Sequence, residues 1–163
     1  MADIVIVSEQ IDIEIQVTSS EYWAERTLFY LGKMFVDQLK PGEDYQKLEK
    51  CIHVGILNFT LFDDEEYYSR FHFWSDQGRK MYSDKFEIHT LELPKLAKHE
   101  YPETELLKWL QFINAETKEE FEMAAEKSEY IKKAYEDLNR ISADEEKRLE
   151  YEARERAIRD HQY

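Results

Sequence analysis

Seven residues constrain this chain more than any others. Ile11-Asp12-Ile13-Glu14-Ile15-Gln16-Val17 alternates strictly between β-branched apolar and polar side chains. A period of two is that of a β-strand, so Ile11, Ile13, Ile15 and Val17 project to one face and Asp12, Glu14 and Gln16 to the other. The isoleucines are expected to enter the core, leaving the acidic face to work. Residues 3–7 form a second β-branched run, separated from the first by Ser8-Glu9-Gln10, which reads as a hairpin.

The next forty-five residues fit a crossover. Thr18-Ser19-Ser20-Glu21 has the form of a capping box. The apolar residues Tyr22, Trp23, Leu28, Leu31, Met34, Phe35 and Leu39 recur at helical spacing until Lys40-Pro41-Gly42. Residues 51–62 are then nearly continuous in apolar side chains, as in a strand covered on both faces. Strand, helix and buried strand imply parallel pairing. Residues 70–74 and 86–93 alternate again around Ser75-Asp76-Gln77-Gly78 and read as an antiparallel pair, which Pro94 ends. Residues 63–66, all acidic, read as a solvated exit loop.

Beyond Pro94 the strand signals stop. Glu, Lys, Ala and Leu dominate, and helices are expected over 103–114, 117–127, 128–140 and 142–160, with Ser128 and Ser142 as N-caps. The chain therefore divides into an α/β core, residues 1–94, and a helical C-terminal segment, residues 95–163. The last helix is mostly charged and reads as solvated or loosely docked.

A net charge of −14 opposes a simple electrostatic grip on nucleic acid. It suits a soluble cytoplasmic protein. The single cysteine, Cys51, lies in an apolar run and reads as a buried, inert thiol, and no disulfide can form within the chain. No apolar stretch approaches the roughly 20 residues of a membrane span, and the N-terminus lacks the basic region of a signal peptide. His53, His72 and His89 show no zinc-ligand spacing and read as packed or surface residues.

Glu14-Ile15-Gln16 is where chemistry can be sought. Metal-assisted phosphodiester hydrolysis needs converging oxygen ligands, and a strand places alternate side chains together on one face. Asp3, on the neighbouring run, is the obvious second carboxylate. Gln16 can orient a water but carries neither charge nor a transferable proton. From spacing alone, a solvated strand face is the commoner reason for such alternation.

Several stretches together resemble one family. They are residues 11–16; Glu25-Arg26-Thr27-Leu28-Phe29-Tyr30 running to Asp37-Gln38-Leu39; Gly42-Glu43-Asp44-Tyr45; residues 52–62 with 63–66; Glu87-Ile88-His89-Thr90-Leu91-Glu92-Leu93-Pro94; Trp109; and Ser142-Ala143-Asp144-Glu145-Glu146-Lys147. Their order resembles the recombination-promoting nucleases, also described as PD-(D/E)XK nuclease family transposases. The resemblance implies a restriction-endonuclease-like mixed β-sheet with a crossover helix, and Mg²⁺- or Mn²⁺-dependent cleavage of DNA. It maps the carboxylate pair onto Asp3 and Glu14, with Asp12 as the fallback ligand, and puts Gln16 where the wider superfamily has lysine. Members generally carry a further helical region ahead of the first core strand. This chain begins without it, so an N-terminally truncated core is expected. The alternative is a catalytically inactive, transposase-derived remnant that acts only in self-association, as a homodimer.

Overall fold

The computed structural model describes residues 9–19, 21–144, 147–150 and 152–153. Residues 3–7, one arm of the expected hairpin, lie outside them, as does Asp3. The chain forms two compact units, residues 1–101 and 102–163.

The first unit is a four-stranded mixed sheet with one helix across it. Strand β1 (Glu9–Gln16) leads into helix α1 (Trp23–Val36) and then β2 (Lys50–Leu57). Strands β3 (Tyr68–Trp74) and β4 (Met81–Glu92) come next. The order across the sheet is β1-β2-β4-β3. β1 and β4 both run parallel to β2, and β3 runs antiparallel to β4. The expected β–α–β crossover and the closing antiparallel pair are both present. Gly78 and Arg79 take positive φ in the turn between β3 and β4. Pro94 lies in a 3₁₀ turn, Leu93–Ala97, just past the sheet.

Register decides which side of the sheet is which. Asp12, Glu14 and Gln16 pair with His53, Gly55 and Leu57. Trp23 lies over Gly55, where a built Cβ would sit 2.6 Å from Trp23 Cζ2. Helix α1 therefore covers the face that carries Asp12, Glu14 and Gln16. Its inward stripe is Trp23, Thr27 and Leu31, all buried at intervals of four, while Tyr22 and Leu28 are exposed.

This reverses one expectation. Ile11, Ile13 and Ile15 do not enter the core; Ile13 is 63% exposed. The half-buried side of β1 is its polar side. Asp12 and Glu14 can lie on the α1 side because each has a partner there, His53 and Arg26, which removes most of the penalty of leaving water.

Two caps also differ from the sequence reading. α1 starts after Tyr22 with no side-chain cap bond, so the capping box expected of Thr18 and Glu21 does not cap this helix; Gln16 Nε2 donates to the Thr18 carbonyl (3.0 Å). α1 also ends at Val36, three residues before Leu39. β2 stops at Leu57, and the apolar residues up to Phe62 continue as loop.

The second unit holds α2 (Glu105–Ile113), α3 (Lys118–Glu126) and α4 (Glu129–Ala143). The capping box lies at Thr117 and Glu120, at the head of α3. α4 runs through Ser142, which is thus helix interior, and Asp144 caps the succeeding turn by accepting from Lys147 N–H (3.4 Å). Edge-on and stacked rings of Trp109, Phe112, Phe121 and Tyr135 tie the three helices together, with Leu107, Leu110, Ala124 and Ile131 buried.

Two glycines test this packing. Gly55→Ala is expected to destabilise the protein by roughly 1–3 kcal/mol by forcing α1 off the sheet. Gly32→Ala, in mid-helix with nothing within 4 Å of the added methyl, should stabilise it by up to about 1 kcal/mol. Urea unfolding followed by tryptophan fluorescence measures both, and effects of the same sign would contradict this arrangement.

Candidate functional site

β1 and α1 together present the three side chains singled out by alternation. Asp12 Oδ2 lies 3.0 Å from His53 Nδ1 on β2. Glu14 Oε1 lies 2.6 Å from an Arg26 guanidinium nitrogen. Gln16 is held by its bond to Thr18. Arg26 comes from the first turn of α1, three residues after the Trp23 that packs on Gly55. Its guanidinium also lies 5.7 Å from the centre of the Tyr30 ring. Beside this row runs a groove of about 480 Å³ between β1 and α1, lined by Gln10, Asp12, Tyr30, Lys33 and Gln38 among others. A second cavity under α1, of about 290 Å³, is walled by Trp23, Leu31, Phe71, Phe73, Phe86 and Ile88 and is almost wholly apolar. It lacks the ligands that chemistry at a phosphate requires.

The donor set can be judged against a divalent cation. Glu14 and the Gln16 amide offer hard oxygen atoms of the right kind. Asp12 is taken up by His53, whose other nitrogen is buried without a hydrogen-bond partner. Among the described residues no three His, Cys, Asp or Glu side chains converge as a metal site. The row therefore supplies part of a ligand set, and the Asp3 expected to complete it lies outside the described residues.

The sequence reading missed two charged clusters in the same unit. On the face of the sheet away from α1, Glu87 is buried and three side chains converge on its carboxylate. Lys50 pairs with it, His72 Nε2 lies 3.0 Å away and His89 Nε2 2.5 Å away. Tyr68 Oη is 2.7 Å from His89 Nδ1. Every group is satisfied if Tyr68 donates to Nδ1 and His89 Nε2–H donates to Glu87. Burial would raise the Glu87 carboxyl, but its bonds from Lys50, His72 and His89 outweigh that and hold it at about 2. The visible signal was Glu87 and His89 two apart on one strand, with His72 on its antiparallel neighbour.

The other cluster anchors the loop between β2 and β3. Buried Glu92 accepts from the backbone N–H of Leu61 (2.6 Å) and Phe62 (3.0 Å). Lys95 Nζ bridges Glu92 (3.0 Å), Asp64 (2.7 Å) and the Glu66 carbonyl (3.0 Å). Burial would lower the Lys95 ammonium, but these two carboxylates raise it. Residues 63–66 are thus pinned at Asp64 rather than wholly solvated. Cys51 is fully buried, and burial pushes its thiol up, as an inert core cysteine requires.

The family model for the PD-(D/E)XK nuclease family transposases matches residues 3–163. The chain belongs to that family. No curated protein and no solved structure matches it. The mixed sheet, crossover helix and C-terminal helices of this family member agree with the α/β fold expected of a PD-(D/E)XK core. No helix among the described residues is long and apolar enough to cross a membrane.

The Glu87 cluster gives a pH prediction. Its folded-state carboxyl is depressed from the ordinary 4.5 to about 2. It therefore contributes stability above about pH 4.5 that is lost as pH falls toward 2. Glu87→Gln should cost roughly 3 kcal/mol at neutral pH and flatten the pH dependence of unfolding across that acid window. An unchanged acid limb in the variant would refute the assignment.

Proposed function

We propose that this family member is a divalent-cation-dependent DNA endonuclease whose working row is Asp3, Glu14 and Gln16. The observation that carries the reading is the half-buried polar face of β1, where Glu14 and Gln16 share one side of the strand under α1. Membership of a nuclease family supports the reaction class. Asp3 and Glu14 would hold Mg²⁺ or Mn²⁺, with Asp12 the substitute for Asp3. The cation would polarise the scissile phosphate and generate a hydroxide from bound water. Glu14 supplies a fixed negative oxygen, and Gln16 orients the attacking water through its amide. The net charge of −14 makes DNA binding depend on the cation more than on a basic surface.

Cleavage of supercoiled plasmid in Mg²⁺ tests this. Glu14→Ala and Asp3→Ala should each lower the rate by about 100-fold or more, the size of loss expected when a group that stabilises developing charge is removed. Cleavage that survives both substitutions would remove the site from consideration.

A second reading is favoured by a different observation. Ile11, Ile13, Ile15 and Val17 form an exposed apolar stripe, of the kind that supports self-association. In this reading the chain is a non-cleaving, transposase-derived homodimer module. Sedimentation of the wild type should then show a dimer that Ile13→Glu dissociates, alongside wild-type protein that leaves plasmid intact.

A further inference from the structure

The row on β1 lacks a positive charge of its own. In the wider superfamily the third motif position is lysine, whereas here it is Gln16, whose amide nitrogen is engaged by the Thr18 carbonyl. A phosphodiester undergoing attack gathers negative charge on its non-bridging oxygens, and a neutral amide stabilises that charge less well than a fixed positive group does. A fixed cationic side chain beside the row would stabilise that charge together with the divalent cation.

Helix α1 brings one. Arg26 stands on the same side of the sheet as Glu14 and Gln16 and reaches Glu14 at 2.6 Å. Its side chain remains 41% exposed, so solvent and ligands reach it. One terminal nitrogen meets Glu14, while the remaining N–H groups of the guanidinium's five donors have no other hydrogen-bond partner among the described residues. The Tyr30 ring at 5.7 Å limits where the planar head can lie. Lys33, the next cation along α1, is instead paired with Asp37 at 3.0 Å.

We propose that Arg26 is a catalytic residue that replaces the missing motif lysine. It holds the Glu14 carboxylate in place and offers its other N–H groups to a non-bridging oxygen of the scissile phosphate. The phosphate is that of a DNA strand brought up to Glu14. Planar, two-pronged donation suits a phosphate better than a point charge does. This inference rests on the nuclease reading above.

The same geometry sets Arg26 against the metal ion, because both claim Glu14. That conflict gives the test a sign that a merely structural residue would not show. Mn²⁺ binding, measured by electron paramagnetic resonance without DNA, is expected to tighten roughly two- to fivefold in Arg26→Ala, the range of a half-exposed ion pair. Plasmid cleavage by the same variant should fall about 100-fold. Arg26→Lys should recover part of the cleavage, since it restores the charge without the fork. Thermal unfolding of both variants checks that they fold; the lysine variant carries the test if the alanine variant does not. Arg26→Ala that cleaves like the wild type, or binds Mn²⁺ no more tightly, overturns the proposal while the nuclease reading stands. Wild-type protein that cleaves nothing overturns the nuclease reading itself, and this role with it.

Discussion

The contact between Trp23 and Gly55 sets the rest of this unit. A side chain at position 55 would collide with the indole, so the absence of one lets α1 lie close against β2. That closeness fixes which face of the sheet is covered. It also fixes the rotation of α1, with Thr27 and Leu31 following Trp23 inward and Arg26 directed toward β1. Glu14 is the register partner of Gly55. This close point of helix–sheet packing thus lies beside the carboxylate on which the proposed chemistry depends. Thr27 Oγ1 donates to the Trp23 carbonyl at 2.8 Å, which satisfies a buried hydroxyl without a second element.

The two faces of the sheet carry charge by different rules. Under α1, polar side chains pair one to one: Asp12 with His53, Glu14 with Arg26. The Glu14–Arg26 pair is partly exposed, so it contributes little to stability and can be opened by a competing ligand, whereas His53 is buried and loses a needed partner if Asp12 leaves it. On the other face, Glu87 is shared among Lys50, His72 and His89, with its side chain only 7% exposed. Removing any one of these donors leaves a buried charge less satisfied, which is costly. The first arrangement suits exchange of partners and the second suits permanence. Glu92 with Lys95 belongs to the second kind, locking the loop after β2 to the end of β4.

Much of the framework was legible because local periods carry it. The period-two runs at residues 11–17, 70–74 and 86–93, the apolar run from Cys51 and the helical spacing from Trp23 all mark elements that the structure contains. The order of these elements was enough to imply parallel pairing across a crossover. The direction of burial on β1 was not legible. Alternation shows that Ile13 and Glu14 point apart, but only the placement of α1 says which of them is covered, and that placement depends on Gly55, some forty residues downstream. The usual preference for isoleucine inside was overridden where partners for Asp12 and Glu14 lay on the helix side of the sheet.

The clusters missed by the sequence reading share one cause. Glu87, His72 and Lys50 lie on three different strands, and Arg26 meets Glu14 across a strand-to-helix connection, so no local spacing links them. Their meeting depends on register, which is a property of the folded sheet. The same dependence changes the weight of Gln16. Judged along the strand alone, a glutamine where a lysine is usual reads as a loss. Judged across the fold, the positive charge has a second source one helix away, in the residue that already touches Glu14. A charge missing from a motif along one strand can therefore be offered from another element, and Arg26, beside Glu14, is the residue placed to offer it.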